Sequence, residues 1–102
     1  MISSNNPTSL VEAYISHLTN ERRLSPLTCE SYTRDMAALL KLAAETPLYQ
    51  LKIHHIRRFV AQLHSKGLSG RSLARMLSAW RGLYNYLARD HGYTHNPCAG
   101  LR

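Results

Sequence analysis

The segment from Arg71 to Arg89 constrains the fold most, because it contains no helix breaker except Gly82. At about 100° per residue, its large apolar side chains fall within about 120° of each other on a helix. These are Leu73, Met76, Leu77, Trp80, Leu83, Tyr84 and Leu87. The opposite side carries Arg71, Arg75, Ser78, Gly82, Asn85 and Arg89, with Arg81 on the flank. This pattern predicts a long amphipathic helix with one buried face and one basic face.

Start signals predict two helices in the first half of the chain. Ser9 and Glu12 have capping-box spacing, so we expect a helix from Ser9 to about Glu21, preceded by a flexible tail over residues 1–8. Ser25-Pro26 predicts the next start, since proline is tolerated at the first helical position. The residue before proline disfavours helical geometry, so Thr46-Pro47 should end this helix. The apolar stripe expected inside it is Cys29, Tyr32, Met36, Leu39, Leu40 and Ala43.

The second half adds a third helix before the long one. Gly67 is its natural C-terminal cap, whereas Leu51-Lys52 offers no good N-terminal cap. Its apolar face is Ile53, Ile56, Phe59, Val60 and Leu63. Ser69 should cap the fourth helix, and His91-Gly92 should end it.

No segment alternates apolar and polar residues as a strand would. We therefore expect an all-α protein, a compact bundle of four main helices joined by short connections. Asn96-Pro97 is one more cap signal, so a short fifth helix is expected at the C-terminus.

Charge is the first functional indication. Lysine and arginine number 13 against 6 acidic residues, for a formal net charge of +7. The cations are concentrated after residue 51, where Asp90 is the only acid. A basic half with almost no counter-charge indicates a polyanionic partner, above all nucleic acid.

Other functional classes find little support. No apolar run is long enough to span a membrane, and the polar start is not a secretory signal. His91, His95 and Cys98 have metal-like spacing but supply three ligands where a closed structural site needs four, so we expect no metal and no cofactor. No paired carboxylates, phosphate loop or nucleophile set is visible, which favours a binding module with no small-molecule substrate. Two cysteines are too few for a disulfide framework, which points to reduced thiols in a cytosol.

The order and spacing of several stretches resemble the N-terminal core-binding (SAM-like) domain of tyrosine recombinases. They are residues 21–28 (ERRLSPLT) followed by Tyr32 and Arg34-Asp35, residues 56–69 (IRRFVAQLHSKGLS), residues 71–87, and Asn96-Pro97. The resemblance covers about residues 9–101. It is strongest to the bacterial Xer recombinases, and to their XerC branch more than to XerD.

The resemblance implies a fold like the N-terminal domain of lambda integrase and a role beyond what composition indicates. Residues 9–102 would be the core-binding domain, and the catalytic domain with its tyrosine, arginines, lysine and histidines would be absent from this chain. The domain would hold one recombination half-site of double-stranded DNA through its second and fourth helices. Its partner would be a XerD-like recombinase in a tetramer on DNA that resolves chromosome dimers, which places it in the bacterial cytoplasm with the nucleoid.

Residue types and the family pattern together nominate the DNA-contacting side chains. Arginine can fork onto phosphate or guanine, and serine or threonine can donate to phosphate. The candidates are Thr28, Arg34, Lys66, Arg71, Ser72, Arg75, Ser78, Arg81 and Arg89. Arg81 has a rival role, in which it supports the fold through a carboxylate such as Asp35. Trp80 departs from the family, which more often has leucine there.

Two other functions would also account for the positive charge. A free-standing helix-turn-helix regulator would need a short recognition helix, against which the long fourth helix argues. A helical protein-interaction module would use its basic face on an acidic partner.

Overall fold

The computed structural model of the chain describes residues 6–99. The helices are α1 (Pro7–Asn20), α2 (Pro26–Ala43), α3 (Ile53–Ser65) and α4 (Gly70–Asp90), with a 3₁₀ turn at Leu48–Gln50 that the sequence did not indicate. No strand occurs within this range, so the all-α class with four main helices is confirmed. None of these helices is long and apolar enough to cross a bilayer.

The chain divides into two compact units, and the first ends at Leu48. In it α1 packs against α2, and the rings of Tyr14 and Tyr32 meet edge to face at 6.5 Å. Burial raises the pKa of Tyr14 to about 12. The predicted inner stripe of α2 is only partly buried: Met36, Leu39 and Ala43 are buried, whereas Cys29, Tyr32 and Leu40 are half-buried.

The start of α1 differs from the expectation. The Asn6 side chain, not Ser9, caps the helix, because its Oδ1 accepts hydrogen bonds from the N–H groups of Thr8 (2.9 Å) and Ser9 (3.3 Å). Pro7 occupies the first helical position, where its missing N–H is no loss. The prediction of a cap at Ser9 was therefore wrong. Of the expected tail, residues 7 and 8 are helical, and residues 1–5 lie outside the described range.

The predicted start of α2 is confirmed. Ser25 is the cap, and its Oγ accepts the N–H of Thr28 at 3.2 Å. The helix ends at Ala43, three residues before Thr46, and the next residue, Ala44, has a φ of 54°.

The second unit begins at Tyr49, and in it α3 packs against α4. Every residue of the apolar stripe predicted for α4 is buried, together with Ala79 and Tyr86. Trp80 has no exposed surface. Burial also raises the pKa of Tyr84 far above its usual range and that of Cys98 to about 12. These groups stay neutral and serve the core.

The connection between α3 and α4 is a Schellman turn. The N–H of Leu68 donates to the carbonyl of Leu63 and that of Gly67 to the carbonyl of His64. Gly67 has a φ of 104°, which side-chain-bearing residues rarely adopt, so the predicted glycine cap is confirmed. The Ser69 Oγ then accepts the N–H of Ser72 at 3.2 Å and starts α4 as predicted. Four residues thus join the two helices.

The start of α3 uses a histidine where the sequence showed no good cap. The N–H of Lys52 donates to Nδ1 of His55 at 2.9 Å, which is half of a capping box. Desolvation lowers the pKa of His55, and the neighbouring His54, Arg58 and Lys52 lower it further. The hydrogen bond needs the unprotonated nitrogen, so the cap works only while His55 is neutral.

The free energy of unfolding should therefore fall as pH falls below about 6.5, because there the unfolded chain binds a proton at residue 55 more readily than the folded chain does. The loss should reach at most about 1 kcal/mol, the usual worth of a cap. His55→Gln keeps an acceptor that does not titrate. Thermal unfolding at about pH 7.5 and about pH 5 should show a smaller difference for the variant than for the wild type. Equal differences would contradict the assignment.

The described chain ends in a turn at residues 97–99. The Asn96 side chain accepts the N–H of Cys98 at 2.9 Å, as a helix cap would. The expected fifth helix would continue into residues 100–102, which lie outside the described range.

Candidate nucleic-acid interface

The outer face of α4 carries what we call the basic stripe: Arg71, Arg75, Ser78, Gly82, Asn85 and Arg89. At about 100° per residue, these six positions fall within about 80° of each other. All are exposed except Gly82, which is half-buried. From residue 46 to residue 89 the chain contains no acid. A polyanion can therefore approach the stripe without meeting a negative charge from α4 before Asp90.

The N-terminal end of α4 is electropositive beyond the charge of its side chains. A helix start carries a partial positive charge, which proteins usually neutralise with acids in the first turn. The first turn of α4 has none, nor has that of any other described helix. Arg71 therefore adds a cation where the helix dipole disfavours one. Such placement weakens folding slightly and strengthens the local attraction for anions.

Ser72 lies beside this end, and its hydroxyl already takes part in a hydrogen bond. It is half-buried, and its Oγ accepts a hydrogen bond from Ser69 Oγ at 3.2 Å. Its own hydroxyl proton can still donate to an incoming oxygen. Ser78 is more open, since its side chain is exposed in the middle of the basic stripe.

The C-terminal end of the basic stripe holds two contacts that sequence reasoning missed. Arg89 Nε donates to Asp90 Oδ1 at 3.2 Å, an exposed ion pair that partly neutralises this end. Asn85 Oδ1 accepts a hydrogen bond from Asn96 Nδ2 at 3.0 Å. The helical spacing had put Asn85 on this face, yet it was not among the candidate residues. The attraction for an anion is therefore weaker at this end of the stripe than at the end that holds Arg71.

Arg81 is less suited to contact DNA than the stripe residues. Its side chain is half-buried, and its charge lowers the pKa of the Cys98 thiol against the larger effect of burial. Its carbonyl also accepts Asn96 Nδ2 at 3.3 Å. The suggested pairing of Arg81 with Asp35 stays a prediction; Asp35 itself is buried.

Both candidates on α2 are exposed, Thr28 in the first turn and Arg34 in the middle of the helix. The backbone N–H of Thr28 is not available to a ligand, because it donates to Ser25 Oγ at 3.2 Å. Its hydroxyl accepts Ser25 Oγ at 2.9 Å and keeps its own proton available. Arg34 donates to Ser31 Oγ at 3.2 Å and lines an open groove of about 520 Å³ with Glu30 among its walls. The acid makes this face less favourable to phosphate than the basic stripe.

Lys66 caps the C-terminus of α3 and is exposed. It shares a groove with Arg58, which was not among the predicted DNA contacts. The sequence does indicate a basic surface here, because Arg57 and Arg58 lie between residues 46 and 89, where the chain contains no acid.

The described residues contain no group of three histidine, cysteine or acidic side chains that could hold a metal ion. His91 and His95 instead face the hydroxyl of Tyr86 at 3.4 Å and the carbonyl of Leu51 at 2.9 Å. The basic stripe of α4 therefore offers a ligand hydrogen-bond donors and positive charge.

Comparison with known proteins identifies relatives of this chain. Residues 11–91 match the family model described as phage integrase, N-terminal SAM-like domain. No solved structure matches.

Several curated relatives carry the same name. The chain is 52% identical to a tyrosine recombinase XerC from Ralstonia pickettii and to a tyrosine recombinase XerC 1 from Ralstonia nicotianae, over 94% of its own length. It is 45% identical to a tyrosine recombinase XerC from Pseudomonas aeruginosa, over 89% of its length. The match spans only 31% of each of these relatives.

Proposed function

The chain belongs to the phage integrase N-terminal SAM-like domain family, the N-terminal domain of tyrosine recombinases of the XerC type, and from that membership we propose that it grips one half-site of a recombination sequence in duplex DNA. The observation that carries the proposal is the exposed basic stripe of α4 within an acid-free span of sequence. A helix of this kind fits the major groove, where arginine reads guanine and contacts phosphate.

The residues divide into two roles. Arg75 and Arg71 are proposed to contact base edges or phosphates from the basic stripe. Ser78, Ser72 and Thr28 would donate to phosphate oxygens of the half-site, and Lys66 to phosphate oxygens of the adjoining duplex. Arg34 and Arg89 would add attraction, each diluted by a nearby acid, and Arg81 would contribute least.

The setting is part of the same proposal. The whole protein would break and rejoin DNA through a catalytic domain, and this chain would hold the site without cleaving it. It would act in a tetramer with a XerD-like partner that resolves chromosome dimers, in the bacterial cytoplasm at the nucleoid.

Fluorescence anisotropy tests the proposal. A duplex that carries the host's dimer-resolution half-site and a scrambled duplex are titrated with the chain across a salt series. We expect tighter binding to the half-site and affinity that falls steeply with salt, since each phosphate contact releases counterions. Equal affinity for both duplexes would mean that sequence specificity comes from another part of the whole protein. Absence of binding even at low salt would refute the proposal.

Arg71→Ala should lower the affinity for DNA and raise the stability of the fold. It should weaken DNA binding and lower the salt slope by about 1, because one phosphate contact is lost. It should also raise the free energy of unfolding by about 0.3–1 kcal/mol, because a cation leaves the positive end of α4. The measurements are the salt series and urea unfolding.

Arg89→Ala is the matched control, because it removes the same charge from the opposite end of the same helix. There a cation is favourable and pairs with Asp90, so this variant should be slightly less stable than the wild type. If Arg71→Ala loses stability instead, the side chain serves the fold and its assignment to DNA fails.

A further inference from the structure

A second basic surface lies on α3, outside the basic stripe. Its members line one shallow groove of about 420 Å³ and follow one another at helical spacing. We call it the α3 groove: Arg58, Ala61, Gln62, Ser65 and Lys66. All five side chains are exposed.

The charges of the α3 groove have no acidic partner. Between residues 6 and 99, the structure shows no ion pair for Arg58 or Lys66. An ordinary solvated helix face mixes both signs and sets acids three or four residues from cations. Here Gln62 stands at the position, four residues from each cation, where such an acid would sit. This face therefore keeps its full positive charge.

The shape of the groove suits a rigid polyanion. Arg58 and Lys66 lie about 12 Å apart along the helix axis, and Ala61 and Ser65 keep the surface between them low. Gln62 and Ser65 supply uncharged donors of the kind that commonly bind phosphate oxygens. Two cations with donors between them match a sugar–phosphate backbone.

The same features argue against an acidic protein as the occupant. Protein interfaces are held by buried aromatic or aliphatic anchors at their centre. The α3 groove has none, since its lining is arginine, alanine, glutamine, serine and lysine. Binding here would be almost purely electrostatic.

The groove is also close in the chain to the basic stripe. Lys66 is followed by a turn, and α4 begins at Gly70, so at most about 14 Å of chain separates them. A duplex held at the start of α4 continues beyond the base pairs that α4 faces. If α4 binds a duplex in this way, the flanking backbone would be the polyanion brought closest to the α3 groove.

We propose that the α3 groove, anchored by Arg58 and Lys66, is a second phosphate-contacting surface that binds the backbone of duplex DNA flanking the half-site. The proposal rests on the proposed function of α4. It assigns α3 a role in affinity and salt dependence and none in sequence recognition.

The test compares a short duplex limited to the half-site with a longer one extended by flanking DNA of arbitrary sequence. For Arg58→Ala/Lys66→Ala, the salt slope on the long duplex should fall by about 2, because two phosphate contacts are lost. The slope on the short duplex should stay within about 0.5 of the wild type. Replacing the flanking sequence should change neither value.

Arg57→Ala is the matched control, since it removes an exposed cation from the same helix at a position outside the groove. It should change the slope by much less than one contact. Thermal unfolding should show all three substitutions to be tolerated, with at most a small loss for the double variant, because the side chains are exposed and only Lys66 lies at a helix C-terminus, where a cation is favourable.

The outcomes separate the two proposals. If the double variant binds the long duplex with the wild-type slope while Arg71→Ala weakens binding, the role of the α3 groove is refuted and the function of α4 stands. If the wild type binds neither duplex, both proposals fall. If a polyglutamate peptide binds the wild type and not the double variant, while the duplex binds both equally, the occupant is an acidic protein and our inference is wrong.

Discussion

Trp80→Ala should lower the free energy of unfolding by about 3–5 kcal/mol, the range for deleting a large buried aromatic side chain. Trp80 has no exposed surface and lies at the centre of the buried face of α4. A domain of this size is stable by about 5–15 kcal/mol, so the variant should lose a large share of its stability. Urea unfolding followed by circular dichroism measures the change.

Trp80→Leu is the companion variant. Leucine keeps an apolar side chain in the core. We expect a clearly smaller loss, because the remaining cavity is smaller and neighbours can repack. A loss below about 1 kcal/mol for the alanine variant would show that Trp80 does not hold the core.

Arg75→Ala should weaken binding to the half-site by about 1–3 kcal/mol, roughly 5- to 150-fold, if the guanidinium forks onto a guanine. Because Arg75 is exposed, we expect the free energy of unfolding to change by no more than about 0.5 kcal/mol. Anisotropy with half-site and scrambled duplexes measures the first quantity, and urea unfolding measures the second.

Two further variants show which contact is made. Arg75→Lys keeps the charge but loses the planar fork, so it should retain affinity for the scrambled duplex and lose preference for the half-site. Arg22→Ala removes an exposed cation of the loop after α1 and should leave the preference intact. Equal weakening on both duplexes by Arg75→Ala would reduce Arg75 to a phosphate contact. Unchanged binding with a large loss of stability would overturn its outward placement.

The fold was largely predictable because its signals are local. Ser25 and Ser69 each cap the helix that follows them, and Gly67 closes α3 through a backbone geometry that few other residues adopt. At α1 two local signals competed. The Asn6-Pro7 pair has the same cap-and-proline pattern as Ser25-Pro26, but the capping-box spacing of Ser9 led us to place the cap three residues too late.

The site was less predictable, because its details depend on side-chain contacts. Helical spacing alone placed Arg71 and Arg75 on an exposed face. It could not show that Asp90 turns back onto Arg89, nor that the returning chain brings Asn96 to Asn85. The cap of α3 was missed for another reason: histidine is not a usual capping residue, and only geometry brings its ring nitrogen to the N–H of Lys52.

The placement of Trp80 also provides an optical reporter. It is the only tryptophan among the 102 residues, and its indole is shielded from water. On α4 it lies about 140° around the helix axis from Arg75. Its emission should therefore shift to longer wavelength when the protein unfolds and stay constant when DNA occupies the opposite face. In any variant that keeps this residue, one unlabelled signal distinguishes a protein that has lost its ligand from one that has lost its fold.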